Sequence, residues 1–179
     1  MRTKIAVIAM ALACTLAVAQ QPARRTRFEE ALLIHYRLQQ DGLPTTVAVI
    51  EHALAAVDKY LPTYFPDGPF HRDDLIAMAW LESGFHQHEI GTHGERGLYQ
   101  IMPDEFAEAH ITKDFYDIDV QTRMVLHVLR YKRSRWHDYK LTIQAYNGVV
   151  RTKDGSWSEK YWRAFVKRKI AVDELLGDK

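Results

Sequence analysis

Cysteine is almost missing from this chain: Cys14 is the only one in 179 residues, so no internal disulfide can form. Whatever fold results must be held by an apolar core and not by covalent staples. Charge of one sign is also lacking. Lys and Arg number 24 against 23 Asp and Glu, a formal net charge of +1, which argues against a dedicated nucleic-acid binder, since such a domain should be clearly basic. No strand pattern of useful length, no repeat and no low-complexity tract is visible. Long hydrophobic runs are absent too, apart from one at the start.

That run reads as a targeting segment. Arg2 and Lys4 form a basic n-region, Ile5 to Ala13 is unbroken apolar chain, and Ala17-Val18-Ala19 supplies the small-x-small pattern cut by a signal peptidase. Residues 1–19 are therefore expected to be a signal peptide, with the mature chain starting at Gln20. The run is too short to span a bilayer comfortably, so no stable membrane insertion is expected after cleavage. Cys14 raises a lipoprotein alternative, but Leu12 and Ala13 fit a lipid-attachment site only loosely. The expected location is the periplasm or the exterior. About 160 residues remain, enough for one domain with a respectable core.

The rest reads as helices. Phe28 to Gln40 has helical spacing, with Phe28, Leu32, His35 and Tyr36 on one side. Gly42-Leu43-Pro44 breaks it, and Thr45 or Thr46 is placed to cap a second helix running toward Tyr60. A Pro/Gly-rich turn region follows, from Leu61-Pro62 to Gly68-Pro69. In the third helix Leu75, Met78, Ala79 and Glu82 fall at i, i+3, i+4 and i+7, which puts the Glu82 carboxylate on or beside the buried stripe. Gly84 lets the chain leave that helix. Residues 86–97 form a polar loop, and Pro103 starts a short helix. Val120 to Arg133, Leu141 to Tyr146 and Tyr161 to Leu176 complete the set, the last with Phe165, Ile170 and Leu175 inward. The class is mostly α, in one domain.

Chemistry concentrates in three segments: Glu82-Ser83-Gly84-Phe85, then Gly94-Glu95-Arg96-Gly97-Leu98-Tyr99-Gln100-Ile101-Met102-Pro103, then Ala145-Tyr146-Asn147-Gly148. A carboxylic acid delivers a proton near neutral pH only when its pKa is raised, and burial raises it by disfavouring the anion. Glu82, at the end of Leu75-Ile76-Ala77-Met78-Ala79-Trp80-Leu81, has such surroundings. Gly94 and Gly97 permit tight backbone geometry near a polymer.

In order and spacing the three segments resemble the lytic transglycosylases of the SLT type, which share a goose-lysozyme-like fold and cut peptidoglycan. The resemblance covers roughly residues 70–165. It implies a single lysozyme-like helical domain with a catalytic cleft, residues 20–69 forming an N-terminal helical segment packed on a catalytic region at 70–179. It implies that Glu82 is the general acid and then the base. Ser83, Gln100, Met102, Tyr146, Asn147 and Tyr161 are the implied substrate-side residues, Tyr161 standing where the family carries a late tyrosine near the acid. Two departures stand out: Tyr99 where the family more often has Met, and Val149 where many relatives carry Gly.

Ordinary glycosidases use two carboxylates, and this pattern supplies one. Asp104 and Glu105 follow the second segment, and a helix start explains both. The implied reaction is therefore intramolecular. Glu82 protonates the bond after N-acetylmuramic acid and then takes the proton of that sugar's C6 hydroxyl, giving a 1,6-anhydro sugar without water. The implied partners are peptidoglycan glycan strands, with an envelope-spanning secretion or conjugation assembly as recruiter. No nucleic acid, metal or organic cofactor is called for.

Three other readings compete. A goose-type lysozyme would use the same Glu with water as nucleophile. A metal site drawn from Glu82, His86, His88, Glu89 and His93 lacks an HExxH helix, and Gly84 spoils its i, i+4 register. A non-catalytic peptidoglycan-binding component of a secretion apparatus is disfavoured by an intact Glu82. His35, His52, His71, His110, His127 and His137 read as core-edge or surface residues. Of Trp80, Trp136, Trp157 and Trp162, the first reads as packing and the others offer surfaces on which a sugar could stack.

Overall fold

The computed structural model describes residues 24–111, 114–148 and 159–177, and the signal-peptide, Cys14, Val149 and Trp157 expectations lie outside them. Seven helices follow one another: α1 (Arg27–Gln40), α2 (Val47–Tyr64), α3 (Arg72–Ser83), α4 (Pro103–Glu108), α5 (Ile118–Trp136), α6 (Tyr139–Tyr146) and α7 (Glu159–Leu176). The only β-type pairings among the described residues are the isolated bridges Ile90–Arg96 and Arg96–Ile101, both in the loop between α3 and α4. The fold is mostly α, as an all-helical lysozyme-like domain should be.

Local chemistry sets the helix ends. Thr26 and Glu29 form a reciprocal capping box at the start of α1, Thr46 caps α2 through the Val49 N–H, and Asp117 and Asp138 cap α5 and α6. Gly84, at φ +62°, turns the chain out of α3 in the left-handed conformation, and the Phe85 N–H returns to the Ala79 carbonyl.

Helix α3 is the central element. Every residue from Asp74 to Trp80 is buried, so it is covered on all sides and not along one stripe. Its principal neighbour is α7, while α1 packs on α2, α2 on α5, and α5 on α6. One continuous core joins Ile34 and Leu38 of α1, Leu54 and Val57 of α2, Met78 of α3, Leu126 of α5 and Phe165 of α7.

Two faces differ from the sequence reading. In α1 the side of Phe28, Leu32 and Tyr36 is exposed, at 53%, 47% and 63%, and the buried face is Ala31, Ile34 and Leu38. Two apolar stripes lie on this helix, and the one with small and aliphatic residues is the one pressed against its neighbours. In α7, Phe165 is fully buried and Leu175 packs against the core, but Ile170 is 52% exposed, and Val172 takes the inward position.

Candidate active site

Glu82 occupies the last turn of α3, at the floor of an open cleft of ≈ 360 Å³. The rim comes from three segments far apart in sequence: Gly91, Thr92, Glu95, Gln100 and Met102 from the α3–α4 loop, Glu105 and Lys132 from α4 and α5, and Tyr146, Asn147 and Gly148 from the end of α6. All three sequence motifs thus meet at one place. Tyr161 reaches it from α7, where its hydroxyl donates to Glu82 Oε1.

The electrostatics of Glu82 follow from this position. Burial pushes its pKa from 4.5 up to about 7, the Tyr161 hydroxyl opposes the rise, and the Glu95 charge adds to it. Burial also raises Tyr161 and Tyr146 well above the ordinary phenol value, so both remain neutral proton donors. Near neutrality, then, a protonatable carboxyl sits where a ligand in the cleft would meet it.

The other residues singled out by sequence divide by what their polar atoms do. Ser83 is buried, and its hydroxyl donates to the Leu98 carbonyl at 2.8 Å and accepts from the His86 N–H at 3.1 Å. It therefore ties the end of α3 to the second motif. Tyr146 donates its hydroxyl to the Tyr99 carbonyl at 2.6 Å and presents its side chain to the cleft. Gln100 has a positive φ of 48°, and its amide nitrogen donates to the Gly97 carbonyl at 2.9 Å. Met102 is 37% exposed and Asn147 is exposed at the C-terminal cap of α6, both on the rim. Tyr99 is fully buried, so the departure from the family's Met lies in the core and not on the cleft surface.

Sequence reasoning missed the support beneath the second motif. Gln121 of α5 is fully buried; its side-chain oxygen accepts from the Leu98 N–H at 2.5 Å, and its nitrogen donates to the Gln87 carbonyl at 3.2 Å. A Cβ at position 97 would lie 2.1 Å from that oxygen, and Gly97 also has φ +75°. Glycine is required there twice, by backbone conformation and by the approach of Gln121. The signal was present: Gln121, Met124, Val125 and Val128 share one helical face, so a polar residue stood in a core register.

Glu95, Glu105 and Lys132 were also not assigned to the cleft. Burial raises the Glu105 carboxyl, and the Lys132 ammonium, 3.5 Å away, opposes that rise. The histidines of the polar loop go elsewhere: the His86 ring meets the Pro44 carbonyl, His88 packs on Tyr116, and His93 contacts Glu95. Among the described residues no group of three or more His, Cys, Asp or Glu is arranged to hold a metal ion. Trp80 is buried, with the Arg168 guanidinium over its ring.

No curated protein and no solved structure matches this chain. A family model, the transglycosylase SLT domain, matches residues 71–167, from the cap of α3 to beyond Tyr161 on α7, and so includes every motif of the cleft. With more than half of its length inside that match, the chain belongs to the transglycosylase SLT domain family, whose members act on peptidoglycan.

Proposed function

We propose that this protein is a peptidoglycan lytic transglycosylase with Glu82 as its one proton-transferring group. The observation that carries this reading is a carboxyl with a pKa of about 7 at the floor of an open cleft. Glu82 protonates the oxygen of the β-1,4 bond between N-acetylmuramic acid and N-acetylglucosamine, and that bond breaks. The resulting carboxylate then takes the proton of the C6 hydroxyl as its oxygen closes on the anomeric carbon. A hydroxyl held on the same ring has a high effective molarity, so water need not compete. Glu82 ends protonated, ready for the next bond.

The surrounding residues have separate roles in this reading. Tyr161 orients the Glu82 carboxyl by its hydrogen bond. Gln100, Met102, Tyr146 and Asn147 hold the sugars, and Ser83 positions the second motif through the Leu98 carbonyl. Residues 24–69 form an N-terminal helical layer on the catalytic region. The basic-then-apolar start of the chain directs it across the inner membrane, and no helix among the described residues is long and apolar enough to cross one. The peptidoglycan strand is the substrate, and an envelope-spanning assembly is the proposed recruiter.

The test is mass spectrometry of products released from purified sacculi, with Glu82→Gln beside the unsubstituted protein. Fragments ending in 1,6-anhydro-N-acetylmuramic acid, one water lighter than hydrolysis products, are expected from the unsubstituted protein alone. Reducing ends would make it a lysozyme on the same scaffold. Activity retained by Glu82→Gln would overturn the assignment of the acid.

A further inference from the structure

We infer that Glu95 is a second catalytic carboxylate, an anion that faces the sugar whose bond Glu82 protonates and stabilises the positive charge developing on its anomeric carbon and ring oxygen. The inference rests on the reading of Glu82 above and adds a group to it.

The geometry comes first. Glu95 lines the same cleft as Glu82 but belongs to the α3–α4 loop and not to α3. Its carboxylate is held in place: one oxygen accepts from the His93 backbone N–H at 2.9 Å, and the other lies 3.1 Å from His93 Nδ1. It also lies close against Gly91 of the same loop. A Cβ on Gly91 would sit 2.3 Å from Glu95 Oε2 and 2.6 Å from Gln100 Oε1, so the missing side chain at 91 leaves room for both groups on the cleft wall. An acid needed only for a surface pair with His93, itself 80% exposed, would gain little from such a fit.

The charges around it agree. Its own backbone N–H and that of His93 hold Glu95 below the ordinary carboxylate range, while Glu82 stays protonated up to about 7. Two carboxyls whose surroundings push their pKa values apart can divide acid and anion roles. Of the other charged groups near the cleft, Lys132 is engaged by Glu105 at 3.5 Å, and the Arg96 guanidinium sits over the Phe115 ring. Tyr146 and Tyr161 stay neutral. Among the described residues, His93 is the group that pairs with Glu95.

The step balances with Glu95 unchanged. The Glu82 proton goes to the leaving oxygen, the C–O electron pair leaves with that oxygen, and positive charge appears on the sugar. It disappears when the C6 oxygen bonds to the anomeric carbon and its proton returns to Glu82. Glu95 supplies charge and exchanges no atom.

The test measures kcat and KM for anhydro-product release from sacculi across pH 4–9, using the purified protein, Glu95→Gln and Glu95→Asp. Expected for Glu95→Gln is a kcat lowered at least about tenfold with KM within about twofold. Its alkaline limb should also move to lower pH, because the charge that pushes Glu82 upward is gone. Glu95→Asp should recover part of the loss. A Glu95→Gln protein with unchanged kcat, or one altered in KM alone, overturns the inference and leaves the function standing. An unsubstituted protein that releases no anhydro products overturns both.

Discussion

Helix α3 carries two carboxyl groups eight residues apart, about 12 Å along the axis, Asp74 buried and Glu82 partly exposed to the cleft, and the molecule treats them oppositely. Asp74, 1% exposed, accepts from the His71 N–H at 2.8 Å and the Tyr139 hydroxyl at 2.8 Å, and lies 3.0 Å from the Lys169 ammonium. Its donors come from the α3 cap, α6 and α7, so this acid joins three elements. Glu82, at the other end, has the Tyr161 hydroxyl on one oxygen and a cleft beside it. Burial alone does not make an acid catalyst. A buried carboxylate given enough donors becomes a structural node, and one left short of donors keeps its proton to higher pH.

The widest separation between the two ends should come from Glu82→Gln. Cleavage of sacculi is expected to fall by about a thousandfold or more, with circular dichroism unchanged. If Asp74→Asn abolished cleavage at unaltered stability instead, the division of roles would be wrong. Next comes Asp74→Ala. It leaves Lys169 and the Tyr139 hydroxyl without their shared acceptor, and a cost on the order of 3 kcal/mol is expected in urea denaturation. A cost below about 1 kcal/mol would mean that the network does not hold α3, α6 and α7 together.

A third expectation concerns pH. Folding raises the Glu82 pKa from 4.5 to about 7, so the folded state binds the proton more tightly. The stability this contributes is complete below pH 4.5 and is lost as pH rises to about 7. Glutamine has no such loss. The stability of Glu82→Gln relative to the unsubstituted protein should therefore climb between those limits, gaining on the order of 3 kcal/mol by pH 8. Denaturation curves at pH 4, 6 and 8 would show it, and a constant difference would count against a raised pKa. The smallest effect is expected from Tyr161→Phe. Removing the donor that opposes the rise should move the alkaline limb of activity upward by about one unit or less. A downward shift would mean that the tyrosine donates to the neutral acid instead.

The site was legible in the sequence to the extent that its chemistry lies in short contiguous segments. Glu82-Ser83, the Gly97-Leu98-Tyr99-Gln100 run and Tyr146-Asn147 say little one by one but stand out by their order and spacing, and the folded chain brings them to one cleft. Less legible was which of two stripes on α1 would be buried, because Phe28, Leu32 and Tyr36 carry the same helical period as Ala31, Ile34 and Leu38. Periodicity marks an apolar face but not the neighbour that will cover it. Glu95 and Glu105 were hidden for a related reason. Each has a sufficient local explanation, a polar loop or a helix start, and only the folded chain shows that both line the cleft with Glu82.

By itself the amino-acid order determined the helices, their capping residues and the acid at the end of α3, since these depend on contacts within a few residues along the chain. What it could not decide was the state of that acid. The pKa of Glu82 is set by the depth of its burial, by a tyrosine 79 positions away and by the charge of Glu95, which lines the same cleft. Electrostatic energy depends on distance and dielectric, and for groups so far apart in the chain only the packing of α7 and the α3–α4 loop against α3 sets either.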